Sequence, residues 1–144
     1  QFRDLPTNVD PSNTELYFTT RVMYQAYISG IITGDGEGNA RPLDPVIRID
    51  ALAILMRAAI VIPSDFVEQA LPYNDTANNQ WYSRILSFAS EKSIVGGLGD
   101  GTFKPLRHLK RSEMSKLLVM FMLYNQDPAI QRHSAKMVDF YGLK

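Results

Sequence analysis

The chain has 144 residues, with 15 Lys and Arg, 15 Asp and Glu, and no cysteine. That length suits one domain or one repeat array with a sizeable core, and 45% hydrophobic against 21% charged residues excludes a disordered chain. The absent cysteine excludes a disulfide framework and thiolate sites, and zero net charge argues against bulk polyanion binding, non-specific nucleic-acid contact included.

Ser12-x-x-Glu15 reads as a capping box opening a first helix. Leu16, Val22, Met23, Ala26 and Tyr27 recur at helical spacing, and Gly30 supplies the stop. A loop with Gly34, Gly36, Gly38 and Pro42 follows, too rich in breakers for a helix. A second helix is expected from about Arg48 to Val61, apolar on nearly every side and hence central. Residues 63–72 read as a linker with one helical turn at Phe66–Ala70. Helix, loop and helix then return as Trp81–Lys92, a loop with Gly96, Gly97, Gly99 and Gly101, and Arg111–Tyr124. Trp81 is expected in the core. Asp127 and Pro128 open a last helix with the stripe Ile130, Met137, Val138 and Tyr141. It is either the start of a third unit or a cap on a two-unit array.

The longest apolar runs, Ala51–Met56 and Leu117–Leu123, fall well short of the roughly 20 residues a membrane span needs. The chain opens on Gln1 without a charged or apolar leader, which reads as a mature product or a fragment.

The two helix–loop–helix segments are copies of one unit. Shifting the chain by 63 residues lays Phe18–Ala59 on Trp81–Met122 without a gap. Arg21/Arg84, Ala26/Ala89, Ile31/Ile94, Gly34/Gly97, Gly36/Gly99, Gly38/Gly101, Pro42/Pro105, Leu43/Leu106, Arg48/Arg111 and Leu55/Leu118 are identical. Phe2-Arg-Asp4 precedes the first copy as Tyr73-Asn-Asp75 precedes the second, with eight extra residues in the first. Such self-similarity marks a repeated supersecondary unit. The division is 1–62 for the first motif, 63–72 for the linker, 73–124 for the second motif and 125–144 for the C-terminal helix.

With Tyr73-Asn-Asp75, Trp81, Ile94-Val-Gly-Gly97, Asp100-Gly-Thr-Phe-Lys-Pro105 and Lys110-Arg-Ser-Glu113, the second copy resembles an S-layer homology motif. The first copy is similar through Phe2-Arg-Asp4, Phe18, Gly30-Ile-Ile-Thr-Gly34, Glu37-Gly-Asn-Ala-Arg-Pro42 and Ile47-Arg-Ile-Asp50. The resemblance implies an all-α fold of tandem helix–loop–helix repeats around buried inner helices. It implies a non-catalytic module, at the cell wall or cell surface, that anchors a protein to anionic, often pyruvylated, wall polysaccharide. It also implies three motifs around a pseudo-threefold axis, with ligand grooves between neighbours; this chain carries two full motifs.

Arg48 and Arg111 stand at the first position of the inner helices, where a cation opposes the helix dipole and calls for a compensating anion. That anion is either a ligand carboxylate, aided by backbone N–H groups of the helix start, or an internal partner such as Asp50, Glu113 or a loop Asp. The family's capping Thr is Ile47 in one copy and Lys110 in the other, so each start loses its side-chain cap unless Asp44-Pro45 begins the first inner helix earlier. Lys104, Arg107, His108, Lys110, Arg111 and Lys116 form a basic cluster that suits an acidic polymer or simply a solvated face. Phe103 packs under its loop or stacks on a sugar. The candidate ligand-binding set is Arg111, Glu113, Lys104, Gly99, Asp100, Gly101, Thr102, Lys110, Arg48 and Asp50. His108 and His133 lack metal-ligand spacing, and neither a nucleophile elbow nor a phosphate loop is present, so no metal, cofactor or catalytic role is expected.

Two other readings remain open at this level. Residues 1–72 carry a balance of −4 and residues 73–144 a balance of +4, which suits head-to-tail homo-oligomers in a self-assembling surface layer or filament. The lost caps and the degenerate first loop, with Glu37 and Ala40 in place of Asp100 and Phe103, suit a protein–protein module that has lost sugar binding.

Overall fold

A computed structural model describes residues 2–59 and 69–124. Four helices run through them: α1 (Thr14–Ile28), α2 (Arg48–Ala58), α3 (Ser83–Glu91) and α4 (Arg111–Tyr124). The described residues are all-α; their single β-type pairing is the antiparallel bridge Ile47–His108. No described helix is long and apolar enough to cross a membrane. Most of the expected turn at Phe66–Ala70, and the expected helix after Asp127, lie outside the described residues. The chain forms two compact units, Gln1–Pro45 and Val46–Lys144, so α2 groups with α3 and α4.

In the first unit, α1 begins one residue later than the Ser12 box suggests. Asn13 is the cap: its side chain accepts the Leu16 N–H at 3.4 Å, and its carbonyl takes the first helical bond from Tyr17. Ser12 instead donates its N–H to the Asp10 carboxylate at 2.8 Å. Asn caps as well as Ser, so the local Asx turn at Asp10 decides between them. The helix ends in a Schellman motif. Ile31 N–H reaches the Ala26 carbonyl, Gly30 N–H reaches that of Tyr27, and Gly30 takes φ +69°.

Phe2 is buried, edge-on to Tyr27 at 4.8 Å, and its ring fixes the loop. A Cβ on Gly34 would come within 2.8 Å of that ring and 2.7 Å of the Asn39 carbonyl, so only glycine fits. Asp4 then staples the loop by accepting the Ala40 and Arg41 N–H groups at 2.8 and 2.7 Å.

The second unit repeats these devices. Asp75 accepts the Phe103 and Lys104 N–H groups at 2.8 and 2.7 Å, and the Tyr73 ring lies 3.2 Å from where a Gly97 Cβ would be. Ser93, at φ +56°, occupies the place of Gly30 and makes the same Schellman pair, with Ile94 bonded to the Ala89 carbonyl and Ser93 to that of Ser90. The core gathers Ile49, Ala51, Leu52, Ala53 and Met56 of α2, Ile85, Leu86, Phe88 and Ala89 of α3, Leu117 and Phe121 of α4, with Tyr82, Ile94 and Phe103. Each large apolar side chain buried this way contributes about 1.5–3 kcal/mol. The central placement of α2 and the boundaries of α4 are as the sequence suggests.

Trp81 is not in the core. It is 57% exposed, and its counterpart Phe18 is 68% exposed. The α3 helix starts at Ser83, two residues later than expected, so Tyr82 turns inward in place of Trp81.

A candidate ligand-binding cleft

The starts of α2 and α4 meet within the second unit, where loop carbonyls take the place of the missing side-chain cap of α2. Ile47, the cap residue of α2, makes no side-chain capping bond, and the helix does not begin earlier at Asp44. Its first two N–H groups are taken instead by the loop before α4: Arg48 donates to the Arg107 carbonyl at 2.9 Å and Ile49 to the Pro105 carbonyl at 3.1 Å. The Leu109 N–H returns a bond to the Val46 carbonyl at 2.9 Å. Those α2 amides are therefore not open to an anion. At the start of α4, the Glu113 carboxylate reaches back to the Lys110 N–H at 2.9 Å, which is half of a capping box without the hydroxyl half.

Glu113 also gathers two cations. Its Oε1 accepts from Arg48 Nη1 at 3.1 Å and from Arg107 Nη2. Burial pushes the Glu113 carboxyl up, but the Lys110 N–H and both guanidiniums outweigh it and hold the group below its ordinary value. The Arg48 side chain is 10% exposed. It lies over the Phe103 ring, 4.6 Å from the centroid, and its Nη2 reaches the Gly96 carbonyl at 3.4 Å. Burial lowers its pKa, Glu113 pulls it back and Arg107 lowers it again; it stays charged throughout. The Nε atoms of both Arg48 and Arg107 are buried without a hydrogen-bond partner.

Beside this group is a cleft of about 130 Å³. Arg48, Glu113 and Lys116 supply its charge, Gly96 and Gly97 its backbone edge, and Phe103 its floor. The cleft has room for an acidic substituent beside Arg48.

Of the residues expected at a site, the cleft brings together Arg48 and Glu113. Arg111 and Lys110 are exposed, do not line the cleft, and make no ion pair among the described residues. Gly99, Asp100, Gly101, Thr102 and Lys104 form the outer face of the loop. There Asp100 holds the Thr102 N–H and hydroxyl, and Lys104 Nζ sits 3.5 Å from its carboxylate. Asp50 is half-buried in the first turn of α2; burial raises its pKa, and the Arg57 charge opposes that. Phe103 is a packed ring rather than an exposed stacking surface, 1% exposed and 5.3 Å from Tyr73. The site set lacked Gly96, Gly97, Arg107 and Lys116. The glycine pair and the basic cluster were the available signals, but nothing local says which members face the start of α2.

Residues 72–115 match the family model described as S-layer homology domain. The match falls on the second copy. The chain is also 28% identical over 99 residues to cell surface glycoprotein 1 of Acetivibrio thermocellus, 69% of this chain and 4% of that protein. It is 31% identical over 91 residues to the surface-layer 125 kDa protein of Lysinibacillus sphaericus, 63% of this chain and 7% of that one. A third relative, an amylopullulanase of Thermoanaerobacterium thermosulfurigenes, is 32% identical over 96 residues, covering 65% of this chain and 5% of the enzyme. The chain thus spans a small fraction of the relatives it matches. The family match and these surface-protein relatives point to the cell wall or cell surface. The cleft lies within or beside the matched segment: every lining residue except Arg48 and two residues of α4, Lys116 and Leu117, falls in 72–115.

Proposed function

We propose that this S-layer homology module anchors a protein non-catalytically by holding an acidic substituent of a wall polysaccharide in the cleft beside Arg48. One observation carries the reading: two guanidiniums share one carboxylate oxygen, so the group beside the cleft keeps one positive charge that Glu113 does not compensate. Buried charge without full compensation is costly, and an incoming carboxylate supplies the missing anion. The charge at the cleft, from Arg48 and Lys116, suits an acidic substituent such as a pyruvate ketal. Nothing lies within 4 Å of where a Gly96 Cβ would be, so the backbone there is open to the substituent.

Co-sedimentation with purified cell wall, before and after removal of its acidic polymer, tests this. Binding should vanish with the polymer. Arg48→Ala should weaken it at least about tenfold, the scale of one charge-assisted bidentate contact, with Arg111→Ala changing it little. Equal losses, or retention on stripped wall, would contradict the assignment.

A second reading, self-assembly, draws on the opposite charge balances of the two halves and on an unmatched pair. Arg48 of the first copy meets Glu113 of the second, whereas Arg111 and Asp50, their counterparts by the 63-residue shift, make no ion pair among the described residues. If Arg111 of one molecule meets Asp50 of another, light scattering should show association that weakens as salt is raised. Salt-independent monomers would end that reading.

A further inference from the structure

We infer that Arg107 is a positioning residue that keeps the cleft cationic by sharing Glu113 with Arg48. The inference rests on the reading of the cleft as an acid-sugar site and names what sets its charge. In the resembling motif, a Thr hydroxyl caps the inner helix and the Glu completes the box. Here position 110 is Lys, so Glu113 keeps only the backbone half of that arrangement, through the Lys110 N–H. Arg107 occupies the rest. Its Nη2 bonds Glu113 Oε1 and its Nη1 reaches the His108 carbonyl at 3.3 Å, which ties the guanidinium to the loop whose carbonyls cap α2.

The consequence is electrostatic. A lone Arg48–Glu113 pair would be neutral and self-satisfied, leaving nothing for an anion to gain. With Arg107 on the same oxygen, Arg48, Arg107 and Glu113 together carry one surplus positive charge, and Lys116 on the cleft wall adds to it. Arg107 does not line the cleft. It acts through Glu113, by preventing that carboxylate from fully neutralising Arg48.

The test is calorimetric titration with the 4,6-pyruvate ketal of a methyl hexoside, using the neutral glycoside as control. Arg107→Ala, and Arg107→Gln as a neutral variant that keeps a polar side chain, should weaken ketal binding at least about tenfold. Arg107→Lys keeps the charge and should stay within about threefold of the wild type. The decisive variant is the double change Arg107→Gln with Glu113→Gln. Glutamine still accepts the Lys110 N–H, the surplus charge on Arg48 returns, and binding should recover to within about threefold. A merely structural Arg107 predicts no such rescue. If Arg107→Gln binds like the wild type while Arg48→Ala does not bind, or if the double variant stays as weak as the single one, the role assigned to Arg107 is wrong and the cleft reading stands. If the wild type does not distinguish ketal from neutral glycoside, the cleft reading fails and this inference fails with it.

Discussion

Two aspartates, Asp4 and Asp75, show how much one carboxylate can organise. Each accepts two successive backbone N–H groups from its glycine loop, at nearly identical distances. The environments differ: the Phe103 N–H bonded by Asp75 belongs to a buried residue, while the groups bonded by Asp4 are exposed. Losing a charged acceptor costs more when the orphaned donor cannot turn to water. Asp75→Ala should therefore lower the unfolding free energy by about 2–4 kcal/mol, and Asp4→Ala by clearly less, in urea titrations of each variant. Equal losses would mean that burial of the Phe103 amide is unimportant. The sequence shows these aspartates as the opening of each copy, and the recurrence of Phe-x-Asp and Tyr-x-Asp is enough to expect a shared role. It does not show Glu113 as the carboxylate shared by two arginines. Arg48 lies 65 residues away, and a contact at that separation leaves no mark in local periodicity.

At the level of elements, the helix ends explain more than the helix middles. Both outer helices stop in a Schellman motif, one on Gly30 and the other on Ser93, which pays for φ +56° with a Cβ clash. Ser93→Gly should raise stability by about 1 kcal/mol, read as a higher melting temperature by calorimetry, since the motif gains its favoured residue without losing a bond. No change, or a loss, would indicate that the Ser93 side chain supports the fold in another way. The apolar runs of α2 and α4 were legible because their composition demands burial. The start of α3 was less so. Trp81 and Tyr82 are both aromatic, and only the helix start at Ser83 decides which one faces the core. The cap of α2 was not legible at all, because its acceptors are the carbonyls of Pro105 and Arg107, from the loop of the other copy.

For the whole molecule, the pairing of the two inner helices is what brings these local devices together. The inner helix of the first copy groups with the helices of the second, and its Arg48 reaches a carboxylate that the same motif supplies one copy later. A single copy could not bring a motif arginine to the motif carboxylate of its neighbour. The motif order pointed to the family whose model matches residues 72–115, and the helix pattern gave the fold class. The pairing of Arg48 with Glu113 emerged only once the two inner helices were placed side by side. The most direct test of the account is a titration of the nitrogen-15-labelled chain with the pyruvate-ketal glycoside, followed by NMR. The account predicts that the largest shifts fall on the Gly96 and Gly97 amides and the Arg48 side chain, with the Arg111 and Gly99–Lys104 signals nearly still. Shifts centred on Arg111 or on the outer loop face, with Gly96 and Gly97 unmoved, would contradict it.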